Sequence, residues 1–175
     1  YNWIGNEIAL FTVSGDKTSF NKNSGLIVKI ADIDKAKEGL RQIHQSTGIN
    51  NEVKYQTFLI NDLGLTNFFP LVLGDEFQVI SGSKYLIVED YIIFANDESL
   101  LKHVVNFYLR GRTLVKNIQF NEFYSQFSGE SNLFYYYNFK FSNNYFGSFL
   151  KKSELTSYKT NQDSLNTPQA FGLQI

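Results

Sequence analysis

A chain of 175 residues, 43% hydrophobic and 19% charged, has the composition of a folded domain and not of a disordered segment. Lys+Arg 16 against Asp+Glu 17 leaves a net charge of −1, which excludes the basic field that draws a protein onto nucleic acid or an anionic membrane. The absence of Cys excludes thiol catalysis, Cys-ligated zinc and a disulfide scaffold, and no window approaches the ~20 apolar residues that cross a bilayer.

In chain order, Glu7–Val13 is rich in β-formers and reads as a strand ending at the turn signal Ser14-Gly15, followed by a polar loop over Asp16–Gly25. Leu26–Ile30 is a short apolar strand. It leads into a crossover helix in which Ile33, Ala36, Leu40 and Ile43 form one stripe, with Asp32 as N-cap and Gly48 at the C-terminus. Glu52–Ile60 reads as one strand. From Asn61 to Gly82 periodicity assigns neither helix nor strand, and Asn67–Gly74 gathers apolar residues around Pro70. Lys84–Val88 and Tyr91–Ala95, flanking Glu89-Asp90, give a hairpin. Asn96-Asp97 caps a helix carrying Leu101, Val104, Val105 and Tyr108 on one face, ended by Gly111. Phe120, Phe123, Tyr124 and Phe127 recur at i, i+3, i+4 and i+7, a second amphipathic helix stopped at Gly129. Leu133–Phe141 is a strand. Beyond it the sequence turns polar, with a weak helical pattern around Phe146–Leu150 and a linker composition over Asn161–Gln169.

These elements lack the βαβα rhythm of a doubly wound sheet, and the tight hairpin implies antiparallel pairing. The expected fold is α+β, a mixed, mainly antiparallel sheet with helices packed on one face. With no Met and Tyr1 at its head, the chain is expected to be a segment of a longer protein. Residues 1–160 would form a single domain, and 161–175 a linker and the start of a strand without a partner. Any signal peptide or anchor would lie upstream.

The catalytic inventory is thin. His44 and His103 are the only imidazoles, the first at the border of the Ile33–Ile43 stripe and the second turned away from the apolar face of its helix. There is no HExxH motif, no Gly-x-Ser-x-Gly elbow and no phosphate-cradling glycine loop. Ser81-Gly-Ser-Lys84 has Ser-x-x-Lys spacing, but it lies in a polar turn before a strand and not on the helix that chemistry needs. Asp32 with Asp34, and Asp75 with Glu76, are the closest carboxylate pairs, the first explained by helix capping. No catalytic, metal or cofactor-binding residue is assigned, and no cofactor is expected. The aromatic content, 17%, is the unusual asset. In Leu133–Phe141 the odd positions look like a buried sheet face. The even positions Phe134, Tyr136 and Asn138, with Lys140, form a half-polar candidate contact surface. Phe69 and Leu71 beside Pro70 form a second candidate.

The unit Tyr85–Leu101, the segment Thr113–Phe123 and the stretch Ser131–Tyr137 together resemble an uncharacterised bacterial family of envelope-associated proteins. That family is a domain of unknown function, typical of exported or lipid-anchored proteins of Bacteroidota-type bacteria. In place of its glycine-bearing turn this chain has Glu89-Asp90. The resemblance implies a large exported protein facing the periplasm or cell surface, held by an upstream hydrophobic segment or lipid. The leading expectation is therefore a non-catalytic interaction or structural domain of a larger cell-envelope protein, a subunit or accessory of an envelope assembly with a protein partner. The alternative is a module binding glycan or other cell-wall material through exposed Tyr and Phe rings and Asn amides. A third is a hydrolase in which His44 or His103 meets a Ser, Thr or carboxylate in a cleft.

Overall fold

The structure, a computed structural model, describes residues 2–13, 21–129, 131–139, 150–161 and 170–175. The chain divides into two compact units, Tyr1–Leu109 and Arg110–Ile175, where the sequence reading drew a single domain to residue 160. The second unit has its own small sheet, and its second strand comes from the end of the chain, a pairing that local pattern cannot show.

In the first unit, β1 (Ile4–Thr12), β2 (Ser24–Ile30), β3 (Asn51–Tyr55), β4 (Phe58–Asp62), β5 (Lys84–Val88) and β6 (Tyr91–Ala95) form one sheet in the order β1-β2-β6-β5-β4-β3. Every neighbouring pair is antiparallel. The helices are α1 (Ile33–Thr47), the single turn α2 (Phe68–Leu73) and α3 (Glu98–Leu109). Asp32 caps α1 by accepting from the Lys35 N–H at 3.1 Å, and Gly48 closes it in the left-handed region at φ 69°. α1 carries the chain from β2 to the far edge of the sheet, where β3 runs in the direction of β2.

The α+β class and the antiparallel sheet are as expected; the placing of the helices is not. They cover both faces of the sheet instead of one. Leu26, Val28, Tyr85, Ile92 and Phe94 pack with Ala36 and Leu40 of α1 and with Phe69 of α2. Ile60, Leu86, Val88, Ile93 and Ala95 pack with Leu101 and Val105 of α3 on the other side. The sequence carried the sign of this in the unbroken apolar runs of β5 and β6. A strand with one wet face alternates; one buried on both faces does not.

The stretch Glu52–Ile60, expected as one strand, is a hairpin. β3 and β4 pair from Asn51↔Asp62 to Tyr55↔Phe58 around Gln56-Thr57, with Gln56 in the left-handed region at φ 55°. No Gly, Asn or Pro marks that turn, so composition did not reveal it. The hairpin at Glu89-Asp90 forms as expected, though Glu89, at φ 50°, takes the left-handed conformation. Its carboxylate accepts the Tyr108 hydroxyl at 2.7 Å, tying the turn to α3.

In the second unit, α4 (Ile118–Tyr124) precedes β7 (Phe134–Asn138), α5 (Lys152–Thr160) and β8 (Ala170–Gln174). The final strand is not partnerless: β8 pairs antiparallel with β7 from Phe134↔Gln174 to Asn138↔Ala170. The expected helical pattern at Phe146–Leu150, save Leu150 itself, and most of the expected linker lie outside the described residues. No helix of the described residues is long and apolar enough to cross a membrane.

Candidate functional site

β5 pairs along its whole length with β6, and β4 along its whole length with β3. β4 and β5 are in register with each other only at Asn61↔Tyr85 and Asp62↔Lys84. Between this loosely joined edge and α1 lies a cleft of about 750 Å³. Leu40, Leu59 and Ile87 make its aliphatic floor, with Asn61 on one wall. The other wall is one side of α1, where Lys37, Arg41, His44 and Gln45 follow at helical spacing.

His44 and Tyr85 lock the inner end. The His44 Nδ1 lies 2.7 Å from the Ile49 carbonyl, which only accepts, so Nδ1 carries the proton. Nε2 is then the acceptor, and it takes the Tyr85 hydroxyl at 3.0 Å. Burial, helped by the charge of Glu52, pushes the Tyr85 phenol up to about 12. Its ordinary value is near 10, so the neutral form is favoured in the folded state. The stability this contributes is complete below about pH 10 and is lost as pH rises through the folded value. Tyr85→Phe should therefore flatten the alkaline limb of the stability curve. Urea unfolding between about pH 9 and pH 12 measures it, and an unchanged slope would refute the assignment.

Along the rim, Arg41 is forked onto Glu38 through Nε at 2.8 Å and a second nitrogen at 2.6 Å. The guanidinium, with the Gln42 amide, holds the Glu38 carboxyl down at about 2. Among the described residues nothing hydrogen-bonds or ion-pairs with the side chains of Lys37, Gln45 or Asn50, all of which line the cleft.

The residues singled out from sequence lie elsewhere. Phe134 and Tyr136 are half-buried against α4 and the turn after it: Tyr136 meets Phe120 and Phe123 with ring centroids 4.9 and 5.5 Å apart, and Phe134 meets Tyr124 and Phe127 at 5.0 and 5.3 Å. Gly172 of β8 makes room for this stack, since a Cβ there would sit 2.6 Å from the Phe127 ring. The even face expected to meet a partner is thus the packed one. On the odd face Leu133 and Tyr135 are 53% and 45% exposed, while Tyr137 is buried. Alternation defines two faces and does not say which one a helix will cover. Asn138 is half-buried and donates to the Tyr136 hydroxyl at 3.2 Å. Lys140 lies outside the described residues. Phe69 is not available to a partner, because it is buried with its ring 4.8 Å from that of Phe94; Leu71, two residues on, is 85% exposed.

The remaining motifs resolve into structure. Lys84 of Ser81-x-x-Lys84 is ion-paired with Asp62 at 2.7 Å, and Ser83 accepts the Leu65 N–H at 2.8 Å. Desolvation pushes the Asp62 carboxyl up, but Lys84 and the Gly64 N–H outweigh it, and the group lies below its usual value. His103 is exposed beside the Phe107 ring at 5.1 Å. With both His44 nitrogens committed to Ile49 and Tyr85, the base-and-nucleophile pair of the hydrolase expectation does not form there. Among the described residues no group of three or more His, Asp or Glu could hold a metal ion.

A family model described as "Protein of unknown function (DUF3352)" matches residues 1–175. The chain belongs to the DUF3352 family. The match spans both units of this DUF3352 chain, well beyond the region around Lys84–Tyr137 on which the resemblance rested, and the family's description names neither a lineage nor an envelope location. No curated protein and no solved structure matches the chain.

Sequence reasoning missed the cleft because reading Glu52–Ile60 as one strand left Leu59 and Asn61 without a place. The legible signal was on α1. Lys37, Arg41 and Gln45 stand at i, i+4 and i+8 beside an apolar stripe that ends at His44, a polar wall along one side of a packed helix.

Proposed function

We propose that this chain is a non-catalytic binding domain of a larger bacterial cell-envelope protein, on its periplasmic or cell-surface side, and that it binds at the cleft beneath α1. One observation carries the reading: a preformed cleft of small-molecule size, aliphatic below and polar above, whose Lys37, Gln45 and Asn50 side chains have no partner among the described residues. The envelope setting is supported by the resemblance of Tyr85–Leu101, Thr113–Phe123 and Ser131–Tyr137. A net charge of −1 supports a ligand other than nucleic acid.

A second reading, a protein partner that makes the chain a subunit or accessory of an envelope assembly, is favoured by Leu71 and Val72. They stand 85% and 45% exposed on α2, anchored from below by Phe69. One experiment separates the two. Amide spectra of the chain are recorded against separate sets of aliphatic acids, cell-wall sugars and muropeptides. The cleft reading expects at least one set to move the amides of Leu59, Asn61 and Ile87, with Leu59→Asp abolishing the movement. If every set leaves those amides in place, the cleft reading fails and the α2 surface becomes the site to pursue.

A further inference from the structure

Resting on the cleft reading, we infer that the ligand is a small aliphatic monoanion: one carboxylate-type head held by Lys37, and a hydrocarbon body laid on Leu59 and Ile87. The charges around the cleft favour an anion. No Asp or Glu is among the residues that line it. Arg41 is neutralised in place by Glu38, so Lys37 is the cation on the lining that is left unpaired among the described residues. On β3, Glu52 and Lys54 stand opposite Asn61 and Leu59 in the register, one charge of each sign beyond the lining. On the lining itself the unpaired charge among the described residues is the single positive one of Lys37, and the amides of Gln45, Asn50 and Asn61 supply neutral donors beside it.

The floor favours a hydrocarbon body over a sugar. Stacking a sugar requires an open ring face, and both aromatic lining residues are packed into other contacts. Tyr85 is 5% exposed with its hydroxyl committed to His44. Phe58 is packed edge-on with Tyr108, ring centroids 5.9 Å apart, within the cluster on the opposite face of the sheet. Leu59, by contrast, is an aliphatic side chain left 46% exposed at the cleft.

The test titrates the whole 175-residue chain with sodium octanoate below its micelle concentration, followed by calorimetry and by amide shifts. Octyl glucoside supplies a similar body without the charge, acetate the charge without the body, and phosphatidylglycerol vesicles an anion fixed in a bilayer. Octanoate should move Leu59, Asn61 and Ile87, acetate should not, and Lys37→Gln should weaken octanoate about tenfold, the size of one partly screened charge contact. The same variant should leave octyl glucoside unchanged. Lys37 is exposed, so an unaltered thermal midpoint will show that the variant is folded. Equal binding of both amphiphiles, insensitive to Lys37→Gln, overturns the anion and leaves the cleft reading standing. Sedimentation with vesicles in the absence of octanoate binding overturns the monomeric ligand. Cleft amides that no probe moves overturn the ligand class and the cleft reading together.

Discussion

Phe94→Ala should destabilise the first unit by about 3–5 kcal/mol, the range for removing a buried aromatic side chain whose surroundings cannot close over the space. Phe94 sits on β6, opposite Leu26 on one neighbour and Tyr85 on the other, and is 4% exposed. Its ring is 4.8 Å from that of Phe69 and 5.8 Å from that of Tyr85, so one truncation unsupports α2 and the floor of the sheet together. Small domains are stable by only about 5–15 kcal/mol, so the loss is a large share of the total. Urea denaturation followed by far-UV circular dichroism measures it. Phe94→Leu, which keeps most of the volume, should cost less than half as much. A loss below about 1 kcal/mol for the alanine variant would mean that this cluster does not hold the sheet face together.

Asn96→Leu should cost about 3 kcal/mol or more, although the residue stands at the end of a strand and is only half-buried. Its amide oxygen accepts from the N–H groups of Ser81 and Gly82 at 2.8 and 2.7 Å. Its amide nitrogen donates to the carbonyls of Asn21 and Val79 at 2.8 and 2.7 Å. One side chain thus satisfies four backbone groups from two separate stretches of chain, and leucine would leave all four without that partner. Asn96→Asp is the sharper probe. It keeps both acceptor bonds but turns an oxygen towards two carbonyls, so at neutral pH it should be nearly as damaging as leucine. Acidification should restore part of the loss, because a protonated carboxyl can donate to one of the carbonyls. Thermal unfolding of the two variants at neutral and acidic pH checks this, and an aspartate variant as stable as the parent at neutral pH would refute it.

How far the sequence could be read follows from which forces leave local traces. α1 was legible because its stripe, its Asp32 cap and its closing Gly48 are all written within seventeen residues of chain. The β5–β6 hairpin was legible from its length and its apolar density. The β3–β4 hairpin was not, because Gln56 and Thr57 turn the chain without a turn-favouring residue, and the ladder to either side holds the strained Gln56 in place. Two-sided burial was recorded in the apolar runs of β5 and β6, yet it is an outcome of where α1 and α3 pass, which pattern alone does not give. The β7–β8 pairing was beyond reach for a similar reason. Asn138 and Ala170 are register partners separated by a long stretch of chain, and only tertiary structure joins them. Of the candidate site, the polar wall on α1 was present in the spacing of Lys37, Arg41 and Gln45. The floor was hidden with the missed turn.

The short register between β4 and β5 has a mechanical meaning. The β3–β4 hairpin is bonded to itself along its full length but to the rest of the sheet over only two residue pairs, at the end that carries Asp62. The Asp62–Lys84 ion pair beside the Gly64 turn fastens that end, and the rest of the hairpin is held by side chains instead of ladder bonds. The tip at Gln56-Thr57 is held from the other face: the Asn106 amide of α3 donates to the Tyr55 hydroxyl at 3.0 Å, and the Phe58 ring stands edge-to-face with Tyr108. Ile60, between Leu59 and Asn61, is buried with Leu101 and Val105 of α3, so the gap from this strand to Lys37 and His44 on α1 does not change without disturbing that core. The hairpin is thus braced on one face by α3 and forms the cleft with its other, and the width of that cleft is set by the α3 core more than by the β4–β5 ladder.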